Sequence, residues 1–166
     1  MVSGINNIYH KGEIILIEVK IFDFIDFDSI IALMEDFKEA HTDLNFKHDY
    51  SNTFIKWIWS MREDRERVIL TAVENSQVVG LIIGEINENA PLLLPDKYGY
   101  IRVLVVGKAA RGKGVGETLW KELKKWFLNN KITEIQLYTS IVNNGAETFW
   151  EKQGFRTFLK KKSISI

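Results

Sequence analysis

The chain has 166 residues, 22 basic and 22 acidic side chains, 46% hydrophobic residues and no cysteine. That length makes one ordinary domain, spanning 1–166, with core enough to fold without disulfides or a structural metal. The charge balance argues against a nucleic-acid binder, and the missing cysteines exclude disulfides, thiolate metal sites and thiol nucleophiles.

In chain order, Glu13–Phe22 (EIILIEVKIF) is β-branched and apolar and reads as a first strand. Ser29 is placed to cap a helix in which Ile30, Leu33, Met34 and Phe37 recur at helical spacing. Ser51 or Asn52 caps a second helix through Met61, with Phe54, Trp57 and Ile58 on one face and Trp59 beside them. Val68–Val73 and Val78–Ile86 are strands joined by the turn Glu74–Asn75–Ser76–Gln77. A loop with Pro91 and Pro95 encloses Leu92, Leu93 and Leu94, which read equally as a homodimer contact, a pocket wall or loop packing.

Tyr100–Val106 is apolar on both faces except for Arg102, the pattern of a central strand. A glycine-rich turn leads into a helix to about Leu128, striped by Val115, Leu119, Trp120, Leu123, Trp126 and Phe127. Ile132–Ile141 reads as a strand, Asn144 and Glu147 as the capping box of a short helix, Gly154 as its stop and Phe155–Leu159 as a closing strand. The order β-α-α-β-β-β-α-β-α-β describes an α/β (α+β) architecture, a mixed sheet covered by helices.

No apolar run approaches the ~18–20 residues that cross a bilayer. The N-terminus lacks the basic-then-apolar order of a secretory signal, so a cytoplasmic protein is expected, away from membranes. His10, His41 and His48 share no ligand spacing, and no metal is expected. Residues 1–60 carry five Lys and ten Asp or Glu, whereas 61–166 carry 17 basic and 12 acidic residues. That asymmetry suits an anionic ligand on the C-terminal part and a cationic one near the N-terminal part, or simply two solvated faces.

The chemistry is concentrated in Gly107–Gly116, where a buried strand ends, glycines alternate and a helix begins at once. A helix N-terminus presents unpaired N–H groups and a partial positive charge, and glycine lets a ligand come close. With Arg111 and Lys113 this makes a phosphate or pyrophosphate cradle. Gly107-x-x-x-x-Gly112–Lys113 approaches a P-loop, but Gly114 stands where that motif has a magnesium-binding Ser or Thr. The spacing G-x-G-x-G also misses the dinucleotide fingerprint.

Arg111–Gly112–Lys113–Gly114–Val115–Gly116 fits the pattern Q/R-x-x-G-x-G/A and resembles the acetyl-CoA signature of the GCN5-related N-acetyltransferases (GNAT). Leu104–Val105–Val106 resembles that family's fourth strand. Asn143, Ala146, Phe149, Trp150, Gly154 and Phe155 match its N-x-x-A-x-x-φ-Y-x-x-x-G-F stretch, with Trp150 in place of tyrosine. The resemblance covers residues 98–158 by motif and 13–86 by element order.

The resemblance implies an acyl-CoA N-acyltransferase-like fold with a mostly antiparallel sheet. It implies that Leu104, Val105 and Val106 meet the pantetheine arm of acetyl-CoA between two splayed strands. The backbone of Arg111, Gly112, Lys113, Gly114, Val115 and Gly116 would hold the pyrophosphate. Asn143 would contact the arm or hold the splay, and Phe149 and Trp150 would line the cofactor end. Read without the family, Phe149 and Trp150 are core packing in a short helix, and Asn143 is a loop residue bonding its own backbone.

The implied reaction is direct attack of a primary amine, on a small molecule or a peptide, on the acetyl thioester. Trp150 cannot act as the acid that tyrosine supplies, and Arg102 and Val103 stand where the family often has a glutamate base. Glu85 is the substitute base, working through water, and Tyr138 a candidate acid. Otherwise Glu85 is an exposed strand-end carboxylate and Tyr138 a half-buried strand aromatic. The acidic residues of 23–49 with Trp57 and Trp59 would attract and pack a cationic acceptor. The alternatives are a non-catalytic acetyl-CoA-binding module and, further off, a magnesium-dependent P-loop nucleotide binder.

Overall fold

The structure, a computed structural model, describes residues 3–10, 12–24 and 26–164. A six-stranded sheet in the order β1-β2-β3-β4-β5-β6 is built from β1 (Ser3–His10), β2 (Glu13–Ile21), β3 (Arg67–Glu74), β4 (Gln77–Glu88), β5 (Lys97–Val106) and β6 (Ile135–Leu137). Every neighbouring pair is antiparallel except β5 and β6, which run parallel. The helices are α1 (Phe27–Glu39), α2 (Tyr50–Trp59), α3 (Val115–Asn129) and α4 (Asn144–Lys152). This is the mixed, mostly antiparallel sheet covered by helices that the sequence implied.

Three elements differ from the expected order. The strand expected at Glu13–Phe22 is β2, and β1 precedes it as the other arm of a hairpin turned at Gly12, φ +87°. Gly4, Asn6 and Asn7 dilute the β-forming residues of β1, which hides it from a propensity reading. The strand expected over 132–141 is only Ile135–Leu137, because Ile132 is buried against the core and its N–H completes the end of α3 on the Phe127 carbonyl. The closing strand expected at Phe155–Leu159 is not formed. Phe155 turns inward onto Trp120 and Trp150, while Phe158 and Leu159 are exposed. A three-residue β6 offers too few ladder bonds to offset ordering that segment.

Helix starts also shift by a residue or more. Asp26, not Ser29, caps α1: the Ser29 N–H donates to Asp26 Oδ1 at 3.1 Å. The second helix begins at Tyr50, ahead of Ser51. Asn143, not Asn144, caps α4, and Glu147 accepts from Thr139 Oγ1 instead of closing a capping box.

The two faces of the sheet carry separate cores. On one, α3 lays Val115, Leu119, Leu123 and Phe127 over Leu70, Ala72, Ile82 and Ile101. On the other, Ile30, Leu33, Met34, Phe54 and Ile58 from α1 and α2 cover Ile69, Leu81, Ile83, Val103 and Val105. The helix α3 lies close to the sheet because side chains are missing beneath it. A Cβ at Gly99 would stand 2.6 Å from the Phe127 ring, and one at Gly84 would overlap Leu123.

Candidate active site

The parallel pairing of β5 with β6 lasts only from Gly99–Ile101 opposite Ile135–Leu137. β5 runs on to Val106 without β6, so the two strands part after Ile101. The same point is marked on the other edge of β5. Ile83 faces Val103 but Gly84 faces Ile101, so Arg102 is left over as a bulge. Bulges bend a strand and aim its side chains anew, and here the bulge stands at the start of the splay on the opposite edge of β5.

The open edge ends at the glycine turn. A 3-10 turn over Lys108–Ala110 is followed by Gly112 at φ +76° and Gly114 at φ +85°, and α3 begins at Val115. Gly114 is the N-cap residue and no side chain caps the helix. Its first-turn N–H groups therefore have no side-chain acceptor, the condition that favours an anion at a helix start.

The turn is fastened from outside. Arg111 Nε donates to the Val106 carbonyl at 2.9 Å, and the Lys108 N–H donates to Asp36 at 3.1 Å. Lys108 Nζ also meets Glu39 at 2.6 Å, a bond and a charge that raise its pKa above the usual lysine value. Lys113 lies 3.7 Å from Glu74. Asp36 and Glu39 thus tie α1 to the turn, and Asp26 caps α1. These three carboxylates, read from the sequence as bait for a cationic acceptor, hold the scaffold together.

Leu104 and Val106 pack on the α3 face, and Val105 is buried on the face of α1 and α2. Phe149 lies against Gly116, where a Cβ would stand 3.6 Å from its ring. Trp150 is 7% exposed among Trp120, Phe149 and Phe155, which makes it a core side chain between α3 and α4. The Asn143 Oδ1 accepts the Ala146 N–H at 3.0 Å and so serves its own helix.

Glu85 is not the exposed strand-end carboxylate of the simpler reading. It is 4% exposed, stands opposite Tyr100 in the β4·β5 ladder, and is held at the bulge by two arginines. Arg102 Nη2 and Nε donate to Oε2 at 2.5 and 3.2 Å, and Arg67 Nε lies 3.9 Å from Oε1. Burial alone would lower the pKa of Arg102, but the bond and charge of Glu85 outweigh it and raise it. Its guanidinium also covers the Tyr100 ring at 4.5 Å. Burial raises the Tyr100 pKa against the opposing pull of Arg102, so this hydroxyl keeps its proton at neutral pH. Tyr138 is not a half-buried strand residue: it follows the end of β6, is 68% exposed, and meets the Tyr100 ring at 5.7 Å.

Beside the bulge, on the face of α1 and α2, lies a cavity of about 300 Å³ walled by Phe37, Phe46, Tyr50, Phe54 and Trp57. Of its walls the sequence marks Trp57 as packing for an acceptor and Phe37 and Phe54 as helix-face residues, and it does not single out Phe46 or Tyr50. Among the described residues, no group of three His, Asp or Glu side chains could hold a metal ion.

A family model, the Acetyltransferase (GNAT) family, matches residues 30–155. The chain belongs to the GNAT family. Among curated proteins, none matches it. Solved structures share the GNAT fold at low identity. A transcriptional regulator from Bacillus halodurans superposes with a TM-score of 0.76 at 16% identity, over 90% of this chain and 99% of that one. An aminoglycoside antibiotic 6'-N-acetyltransferase from Acinetobacter haemolyticus gives 0.73 at 15% identity, over 89% and 97%. A predicted acetyltransferase with acetyl-CoA from Clostridium acetobutylicum gives 0.74 at 15%, over 90% and 96%. The matched segment of this GNAT chain begins in α1 and ends at Phe155, so the splay, the glycine turn and α4 all lie within it.

Proposed function

We propose that this GNAT chain is an N-acetyltransferase that takes acetyl from acetyl-CoA and transfers it directly to a primary amine. The observation that carries the reading is the coincidence of the β5–β6 splay with an uncapped glycine turn at the end of the same strand. The group fits: φ +85° at Gly114 and +76° at Gly112 keep side chains off the turn, and the outer edge of β5 past Ile101 is open.

The first-turn N–H groups and the backbone from Arg111 to Gly116 would hold the pyrophosphate, with the edge of Leu104 to Val106 beside the pantetheine arm. Bound there, acetyl-CoA supplies an activated acyl carbon and a good leaving group. Arg111 donates to the Val106 carbonyl, so it positions the strand end and is placed to turn toward an anion. Phe149 packs on Gly116 and shapes the turn from the α4 side.

In the transfer, a nitrogen–carbon bond forms, the carbon–sulfur bond breaks, and one proton passes from nitrogen to sulfur, leaving an N-acetylamine and a thiol. Free amines are protonated at neutral pH and must lose that proton first. Glu85 is the carboxylate nearest the splay in the ladder, and it would receive the proton through water because its oxygens face Arg102 and Arg67. Tyr100, whose hydroxyl burial keeps protonated, and Tyr138, which follows the end of β6 and meets the Tyr100 ring, would be the hydroxyls available on the sulfur side. Positioning supplies much of the remaining barrier reduction.

One observation favours a second reading, a non-catalytic acetyl-CoA-binding module: the carboxylate at the splay is already paired with two arginines. Thermal melting with acetyl-CoA, CoA and Mg-ATP in parallel, followed by thiol release over an amine panel, separates these cases. A ligand at a hundredfold excess over Kd adds about 2.7 kcal/mol of stability. Stabilisation by acetyl-CoA with amine-dependent thiol release supports the transferase, and stabilisation with no release across the panel supports the module. Stabilisation by Mg-ATP alone removes both.

A further inference from the structure

We infer that the acceptor is an apolar, single-ring or alkyl monoamine that seats its hydrocarbon part in the aromatic cavity beside Arg102. The inference rests on the transferase reading above and adds the substrate class. The cavity is in the right place. Arg102 and Val103, the first two residues of β5 beyond its pairing with β6, form one wall of it, so its inner end adjoins the splay.

Its walls set the chemistry. Phe37, Phe46, Tyr50, Phe54 and Trp57 line the space, and Phe46 meets both Phe37 and Tyr50 edge to face. Buried Met34 and Val103 add further apolar surface. The one charged residue lining it is a cation, Arg102. Polycationic acceptors need carboxylates, and those of α1 are spent elsewhere: Asp36 on Lys108, and Glu35 toward Ser51 and Lys38. A second ammonium group would therefore enter an apolar space whose lining offers no carboxylate, its one charged residue being Arg102, already paired with Glu85, and burial of an unpaired charge there is strongly disfavoured. For a lone reacting amine the same surroundings help, because they favour the neutral form that attacks. At about 300 Å³ the space lies at the small end of ligand sites, which suits one ring better than a multi-ring aminosugar.

The chemistry is the transfer already balanced above: the amine nitrogen bonds to the acetyl carbon, sulfur departs, and the proton moves from nitrogen to sulfur by way of water and Glu85. Only the group carried by the nitrogen is specified here.

The experiment compares phenethylamine, spermidine and kanamycin as acceptors by thiol release from acetyl-CoA, with the full chain and with Phe46→Glu. Phe46 lies in the loop between α1 and α2, outside the two buried core clusters, so the variant is expected to fold. An unchanged rise in Tm with acetyl-CoA checks this. The expected result is kcat/KM for phenethylamine about tenfold or more above the polycations. Phe46→Glu should lower the phenethylamine value about tenfold and raise that for spermidine. Spermidine or kanamycin turned over as well as phenethylamine would overturn the apolar acceptor and leave the transferase standing. So would a Phe46→Glu variant that folds, binds acetyl-CoA and keeps the native preference. Thiol release with none of the three overturns the transferase reading, and the acceptor with it.

Discussion

Replacing Glu85 by Gln tests whether the carboxylate at the bulge is a pillar, a proton acceptor or both. The side chain keeps its size and one acceptor oxygen for Arg102, but the charge facing Arg102 and Arg67 is gone. Breaking a fully buried ion pair costs about 3–5 kcal/mol. Here Arg102 is 43% exposed and Arg67 36%, so water replaces much of what each loses. The cost is therefore about 1–2 kcal/mol after that screening, or a fall in Tm of about 2–8 °C for a chain of this size. If Glu85 also takes the amine proton through water, kcat falls by about 10²–10⁴. The assays are thermal melting at neutral pH and thiol release at saturating acetyl-CoA. A fall in Tm with kcat unchanged refutes the catalytic role and leaves a structural ion pair. An unchanged Tm refutes the energetic reasoning, because it means the arginines lose nothing when the charge goes.

Gly114→Asp should abolish the stabilisation given by acetyl-CoA, since it puts a carboxylate at the anion-binding turn and a Cβ at φ +85°, 3.3 Å from Ile8; titration calorimetry on the folded variant measures this. Gly114→Ala isolates the backbone part and should cost about 1 kcal/mol in urea unfolding. Gly99→Val drives a branched side chain into the Phe127 ring and should destabilise by about 1–3 kcal/mol. The Tyr50 pKa is pushed up to about 12 by burial first and by Glu35 second. Its neutral form is thus favoured on folding, and the stability this gives is intact below pH 10 and lost as pH rises from about 10 toward 12. Tyr50→Phe should remove that alkaline loss in an unfolding series and remove one high-pH ionisation from an absorbance titration.

The scaffold was legible in the repeating features of the chain. The stripe from Val115 to Phe127, the apolar run of β5 and the turn at Asn75 and Ser76 each follow a period or a turn chemistry, and each lies where expected. The glycine turn was legible for the same reason, since glycine between a strand and a helix has few other uses. Long-range partnerships were hidden. Nothing local says that Arg102 and Arg67 converge on Glu85, because three separate positions on three strands meet only through the ladder and the bulge. Asp36, expected among the carboxylates that attract a cationic acceptor, is instead laid by α1 over the turn, where it accepts from the Lys108 N–H. Phe46 and Tyr50 carried no signal of their own, because an apolar cavity and an apolar core have the same composition and differ only in whether the space between the rings is filled. The closing strand failed for a different reason: its residues favour extension, but its neighbour is too short to receive them.

The seating of α3 on glycine has a consequence for recognition. Because Phe127 fits over Gly99 and Leu123 over Gly84, nothing flexible lies between the helix and β4 and β5. The open strand edge and the N–H groups at the head of α3 are therefore two parts of one stiff block, joined by only the few residues from Gly107 to Gly114. Were acetyl-CoA to bind there as proposed, it would lose its own freedom in touching both parts, but the protein would contribute little extra ordering of its own.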